Sequence, residues 1–433
     1  MKRYVLFLGV LVFIPMFGAL VIGCPSATGG GGDDPPPPAL IAGLYADTDL
    51  TTALDLSAQT EDTLLAKALA WLDANADGRA DTAYTIILPA GRTQSPAKTL
   101  DGATFKDGAK LTLKGVDSSS TITLTGTGSL FTIAASSNIT LVLDENVTLK
   151  GVPNNNAPLI MVNSGDVLEM KGNAKITGNA STARAGGVSV SDGTFNMSGN
   201  ASISDNASSY GMAGVGGVSV GGTFNMSGNA SISYNTATGT NGSGGVVSSG
   251  SFTMRDNASI NYNTAIGMNG SGGVLFGGGS FTMRDNASIN YNIATAVGGG
   301  VRITSGIFTM QDNAGISMNT ASNAGGGVDI RGNGVFNMNG SASISGNTVS
   351  SGMGGGVVIL ENGTFTKTGA SVIYGDTDGV HNSGDTENTL IGSTSGRGHA
   401  VYLNTGGGKY RDSTAGAGVT MSWNGTTAVG FEN

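Results

Sequence analysis

Residues 272–292 read Gly-Gly-Val-Leu-Phe-Gly-Gly-Gly-Ser-Phe-Thr-Met-Arg-Asp-Asn-Ala-Ser-Ile-Asn-Tyr-Asn. The same frame returns along most of the chain: Gly-Gly-Val, then Phe-x-Met, then Asn-Ala-Ser-Ile, then Asn. Phe195, Phe224, Phe252, Phe281, Phe308, Phe336 and Phe365 mark seven copies, spaced by 29, 28, 29, 27, 28 and 29 residues. A fixed period of this length is the mark of a solenoid, in which each unit buries its apolar face only against its neighbours.

Within one copy, Phe195 and Met197 are two apart and so share a strand face, as do Ala201 and Ile203, and Val188 and Val190. Three short strands per turn, separated by Gly, Asn and Asp, predict a triangular coil. Stacked coils would give three parallel sheets with neighbours ~4.8 Å apart along the axis. Working outward, Leu168, Leu141 and Leu111 head degenerate earlier copies, which makes ten coils starting at 111, 141, 168, 195, 224, 252, 281, 308, 336 and 365. The reading is an all-β parallel β-helix of about ten coils, rising roughly 48 Å. Helical solenoids are excluded, because the repeat lacks a 3.6 period and is rich in Gly.

Inward positions form columns. One runs Met170, Met197, Met226, Met254, Met283, Met310, Met338, and another runs through Ile176, Ile203, Ile232 and on to Ile373. Both are read as core. Two Asn columns fall at turns, Asn146 to Asn313 and Asn179 to Asn347. Asn tolerates left-handed backbone, and stacked amides bond one another, so these columns are read as structural.

The flanks are divided as follows. Lys2 and Arg3, the apolar run Tyr4 to Leu20, and Val21-Ile22-Gly23-Cys24 form a leader over 1–23 with the only Cys at its end. The last four residues resemble a bacterial lipobox, in which that Cys is acylated, for example with palmitate. An ordinary signal peptide or a retained membrane helix are the alternatives. Residues 24–38 carry Gly29 to Gly32 and Pro35 to Pro38, a flexible then extended tether. Residues 39–110 hold an N-terminal cap and first strands, 111–375 the repeats, and 376–433 a C-terminal cap where the register is lost. In the N-terminal cap, Thr60 to Ala74 is predicted helical, with Thr60 as N-cap and Glu61 and Asp62 in the first turn. Its stripe of Leu64, Leu65, Ala68, Leu69 and Leu72 is expected to sit over the open end of the solenoid and shield unpaired strand edges.

Charge excludes one class of partner. The chain carries a net charge of −9, whereas nucleic-acid binding needs clustered Lys and Arg. With one Cys, no disulfide forms within the chain.

Two resemblances can be named. The pairing of Gly-Gly-Val with Ile260-Asn261-Tyr262-Asn263 resembles the short motifs of chlamydial polymorphic membrane proteins, with Val and Ile in place of Ala and Phe. More of the chain, residues 39 to 433, resembles repetitive β-helix surface lipoproteins of spirochaetes. The features are Trp71, Tyr84 to Ile86, the Asn-Thr-Ala and Gly-Gly-Gly-Val coil of 319–328, and Gly398-His399-Ala400-Val401-Tyr402. The resemblance implies a right-handed coil, an outer-membrane, cell-surface location and an adhesin-like role. It implies no catalytic residues.

Candidate chemistry is thin. Asp73, Asn75, Asp77 and Asp81 with Gly78 resemble a calcium loop, but its twelfth position is Tyr84, which has no carboxylate. The alternative is a polar turn. Asp256, Asp285 and Asp312 occupy one repeat position on three successive coils. Such a row would suit calcium or acid–base chemistry. Gly199, Gly228, Gly340 and Gly369 stand at the same position, which favours a turn. Thr253, Thr282 and Thr309 form a short outward Thr column. Tyr234, Tyr262 and Tyr291 also stack. Parity with the inward Ile predicts rings in the core, whereas outward rings would form a sugar-binding strip. His381 and His399 have no recognisable triad partners. The resulting expectation is a lipid-anchored surface protein that binds host or environmental glycans or surface proteins, with no cofactor beyond an optional calcium. The alternatives are a polysaccharide lyase or glycoside hydrolase of the pectin-lyase-like fold, and an envelope module with a dedicated protein partner.

Overall fold

The computed structural model describes residues 39–46, 50–75, 83–101, 108–135, 138–374, 389–390, 400–405, 408–412, 420–423 and 427–429. Cys24 and the tether, Asp77 and Asp81, and His381 and His399 lie outside the described residues. Leu40–Asn433 forms one compact unit.

That unit is a parallel β-solenoid. Its largest sheet has 14 strands and carries the Phe-x-Met motif. Phe195 pairs with Phe224 and Met197 with Met226, and the register repeats through Phe365. All ten coil starts read from the sequence lie on this ladder. It also reaches one strand further back, to Ala83–Leu88. The Ile motif builds an 11-stranded sheet and the Val motif a 12-stranded one.

The triangular expectation needs one correction. From Ala180–Ser181 onward, two-residue strands add a fourth, 8-stranded sheet between the Ile and Val sheets. Strands this short carry no periodicity of their own, so only the stacking of coils makes them visible.

The inward columns are core as predicted. Met170 to Met338 and Ile176 to Ile373 are buried. The Phe rings stack directly, with Phe252–Phe281 and Phe281–Phe308 centroids both 4.4 Å apart. Burying each such side chain contributes ~1.5–3 kcal/mol. The Gly-Gly pairs mark close approach between coils. A Cβ on Gly272 would lie 2.4 Å from the Gly299 carbonyl oxygen, and one on Gly273 would lie 2.5 Å from that of Gly300.

The inner Asn column is a continuous hydrogen-bonded ladder. From Asn206 to Asn319, each Asn donates through Nδ2 to Oδ1 of the next at 2.9–3.1 Å. The same oxygens accept backbone N–H groups. The outer column is more exposed and looser, at 3.0–3.4 Å between Asn200 and Asn313.

The 14-stranded sheet ends in antiparallel strands on both sides. Gly43–Ala46 pairs with Ala83–Leu88, and Met421–Trp423 pairs with Thr364–Lys367. The helix sits at the open end as expected from sequence, but the first edge of this sheet is covered by Gly43–Ala46 and not by the helix. It plugs the end of the core with Leu65, Ala68, Leu69 and Leu72, and Leu64 is only half-buried. The helix spans Leu64–Ala74, not Thr60 onward. Thr63 is the N-cap, its Oγ1 accepting the Ala66 N–H at 3.2 Å, so Glu61 and Asp62 precede the helix. At the far end the register outlasts Tyr374: Val401 pairs in parallel with Val357 before Gly408–Asp412 turns back antiparallel.

Candidate binding face

Each coil turns from the Ile sheet into the fourth sheet through one residue in left-handed conformation. That residue is Gly178, Asp205, Tyr234, Tyr262, Tyr291, Met318 and Gly346 in successive coils, with φ between 55° and 71°. The corner breaks strand alternation. Ile232 points inward, yet the next inward residue is Asn235, three positions on, and Tyr234 between them is thrown outward. Tyr234, Tyr262 and Tyr291 are 57%, 45% and 46% exposed, so the parity argument that placed them in the core is overturned.

The rings stack in a column. Tyr234 and Tyr262 have centroids 5.1 Å apart and planes within 3°, and Tyr262 and Tyr291 are at 5.0 Å and 6°. Tyr262 thus has a parallel ring on each side, and the column offers edges rather than open faces. A bulky residue at positive φ is an outlier, costing ~1–2 kcal/mol where Gly costs nothing. Two ring contacts return about 0.5–1.5 kcal/mol each. Summed over the column, three corners cost ~3–6 kcal/mol and the two ring contacts return about 1–3 kcal/mol, so packing repays only part of the strain, which is the pattern of a functional position.

The surface beside the column is largely apolar, bordered by Asp205 in the same corner column before Tyr234 and by exposed Arg184 in the loop before that of Met212. Ile266 and Ile293 project from the outer side of the fourth sheet at positions that carry Thr or Ser in neighbouring coils. Met212 and Met268 crown two loops that sandwich the loop of the coil between them: Thr240 N–H donates to Gly211 O, and Asn269 N–H to Thr240 O. From residue 206 to 301 the chain has four charged side chains, Arg255, Asp256, Arg284 and Asp285. They pair with each other at 3.2 and 3.8 Å, on a different corner from the Tyr column. These Ile and Met residues were not singled out from sequence. The available signal was an apolar residue interrupting a Thr or Ser column.

The Asp row sits at a left-handed turn where other coils carry Gly. Each carboxylate accepts a backbone N–H from the preceding coil: Gly228 to Asp256 at 2.9 Å, Asp256 to Asp285 at 3.1 Å, Asp285 to Asp312 at 3.2 Å. This accounts for the row as coil-to-coil bonding. Asp73 is exposed, and Asn75 caps the helix by donating from Nδ2 to Trp71 O at 2.8 Å. Tyr84 is a buried strand residue against Trp71. Among the described residues no three His, Cys, Asp or Glu side chains gather as a metal site.

One charged cluster was not read from sequence. Asp329, fully buried, accepts from Arg331 Nε at 2.9 Å and lies 3.4 Å from Arg302 Nε. Burial pushes its carboxyl above the ordinary range, and the two guanidinium groups oppose this. Asp329 faces outward from the Val sheet. The loop before it buries it, since a Cβ on Gly325 would lie 2.8 Å from Asp329 Cβ.

No protein-family model, no curated protein and no solved structure matches the chain.

Proposed function

We propose that this chain is a lipid-anchored cell-surface protein whose solenoid is an adhesin-like binding body, with the Tyr column and its apolar flank as the contact surface. The observation that carries the reading is the exposure of Tyr234, Tyr262 and Tyr291 at corners where Gly would be unstrained. Rigid, repeated contacts along the axis suit an extended ligand, a glycan or a surface protein, because weak contacts add through multivalency. Cys24 is the proposed acylation site that holds the body on a bacterial outer membrane.

The test uses residues 40–433 on a panel of host and plant polysaccharides and surface proteins, with and without calcium. Retention and release of new chain ends are followed together. Retention without cleavage, lost in the Y234G/Y262G/Y291G variant, is the expected result. Cleavage would replace the adhesin reading with a lyase or hydrolase. Incorporation of labelled palmitate that survives Cys24→Ala would remove the anchor assignment.

A further inference from the structure

The flank described above needs a partner without charge, with a repeat matching the coil rise, and with enough apolar area to cover it. We infer that this partner is a second copy of the chain, docked laterally and flank to flank. The inference rests on the reading of that flank as a contact surface.

The first argument is area. Of the large apolar side chains exposed among the described residues, eight fall between Tyr210 and Ile293, each 44–77% exposed. A stable interface covers about 800 Å² on each partner. A Tyr offers roughly 200 Å² in all, so eight large side chains with about half their surface free supply area of that order. Isolated surface apolar residues need no explanation, whereas a contiguous set on successive coils does.

The second argument is charge. The chain has a net charge of −9, so two copies repel over most of their surfaces. The coils between residues 206 and 301 carry only two Arg and two Asp, each Arg paired to its neighbouring Asp away from the Tyr corner. Here two acidic chains meet without opposing charges.

The third argument is period. A second copy presents knobs at the same axial spacing, because its coils rise by the same ~4.8 Å. The Tyr column is centred on Tyr262. A two-fold axis through that ring sets Tyr234 opposite the partner's Tyr291, a self-complementary contact. Stacking fixes the rings before contact, so little side-chain freedom is lost on docking. End-to-end growth is disfavoured at the largest sheet. The outer edges of the 14-stranded sheet end in antiparallel strands, Gly43–Ala46 at one end and the Met421–Trp423 hairpin at the other.

Sedimentation equilibrium of residues 40–433, a compact unit with its own core, tests this. The expected result is a reversible dimer whose affinity holds or rises from low to high salt, because salt screens the repulsion between two acidic chains. The Y234G/Y262G/Y291G variant should dimerise at least about a hundredfold more weakly. Gly suits the left-handed corner, and an unchanged circular dichroism spectrum checks the fold. Ile266→Lys, which leaves the Tyr column intact, should also dissociate the dimer, and Thr253→Lys on the Phe–Met sheet should not. A wild-type monomer, a dimer weakened by salt, or a dimer untouched by the Gly and Lys variants would each overturn the inference. The binding reading is judged separately. If the wild type is monomeric and the Gly variant alone loses retention on the ligand panel, the flank binds a foreign partner. If the Gly variant keeps both dimer and retention, that reading falls too.

Discussion

Asn263 Oδ1 accepts two hydrogen bonds from Asn235, one from its backbone N–H and one from its Nδ2, both at 3.0 Å. Asn263 in turn donates to Ile232 O and to Asn292 Oδ1, so one side chain ties three coils together. Asn263→Ala would strand two buried donors on Asn235, each costing about 1–3 kcal/mol. A loss of about 3 kcal/mol is expected in denaturant unfolding. Asn263→Asp should be worse at neutral pH, since a carboxylate cannot donate to Ile232 O. A cost below about 1 kcal/mol for the Ala variant would show that the ladder is not a main tie between coils.

Tyr262 tests the corner. Tyr262→Gly loses ring contacts worth about 0.5–1.5 kcal/mol each but relieves a left-handed strain of about 1–2 kcal/mol. Its melting temperature should stay close to wild type. Tyr262→Val keeps the strain, stiffens it with a branched Cβ and loses the rings, so it should melt well below the Gly variant. Equal melting temperatures for the two would mean the corner conformation is not a constraint.

Two glycines should respond with opposite signs to Ala. Gly273→Ala places a Cβ 2.5 Å from a backbone carbonyl oxygen, and overpacking of this kind costs about 1–3 kcal/mol or more. Gly315→Ala meets only Ser343 Oγ at 3.8 Å and should stabilise by about 0.4–1 kcal/mol through the unfolded chain. Thermal unfolding of the pair gives the comparison directly, and a stabilising Gly273→Ala would contradict the coil spacing.

Asp329 sets a pH dependence. Burial raises its carboxyl above the unfolded value near 3.8, so the folded chain holds that proton more tightly. Its contribution to stability is therefore complete below that value and is lost as pH rises through the folded value. Wild type should lose stability relative to Asp329→Asn as pH is raised from about 4, with other carboxylates cancelling in the difference. The opposite slope would mean that Arg331 and Arg302 outweigh desolvation.

The coils, their register, the inward Met and Ile columns and the stacked Asn columns at the turns were legible in the sequence. Each contact recurs in every coil, so the pattern is written many times over at one spacing. The helix start was misread by three residues because Thr60 and Thr63 both suit a cap, and only the Thr63 Oγ1 bond to Ala66 separates them. The fourth sheet was missed because a two-residue strand has no alternation to read.

What the sequence determined by itself is thus the stacking axis: an approximate 28-residue period and the apolar columns that the period aligns. What only the tertiary structure decided is which side of the coil the non-repeating residues occupy. A single left-handed residue at the corner turned Tyr234, Tyr262 and Tyr291 from the core to the surface, and a neighbouring loop turned the outward Asp329 into a buried acid. Alternation along a strand predicts facing only while the backbone stays extended, and cover by a loop depends on chain geometry that no local spacing records.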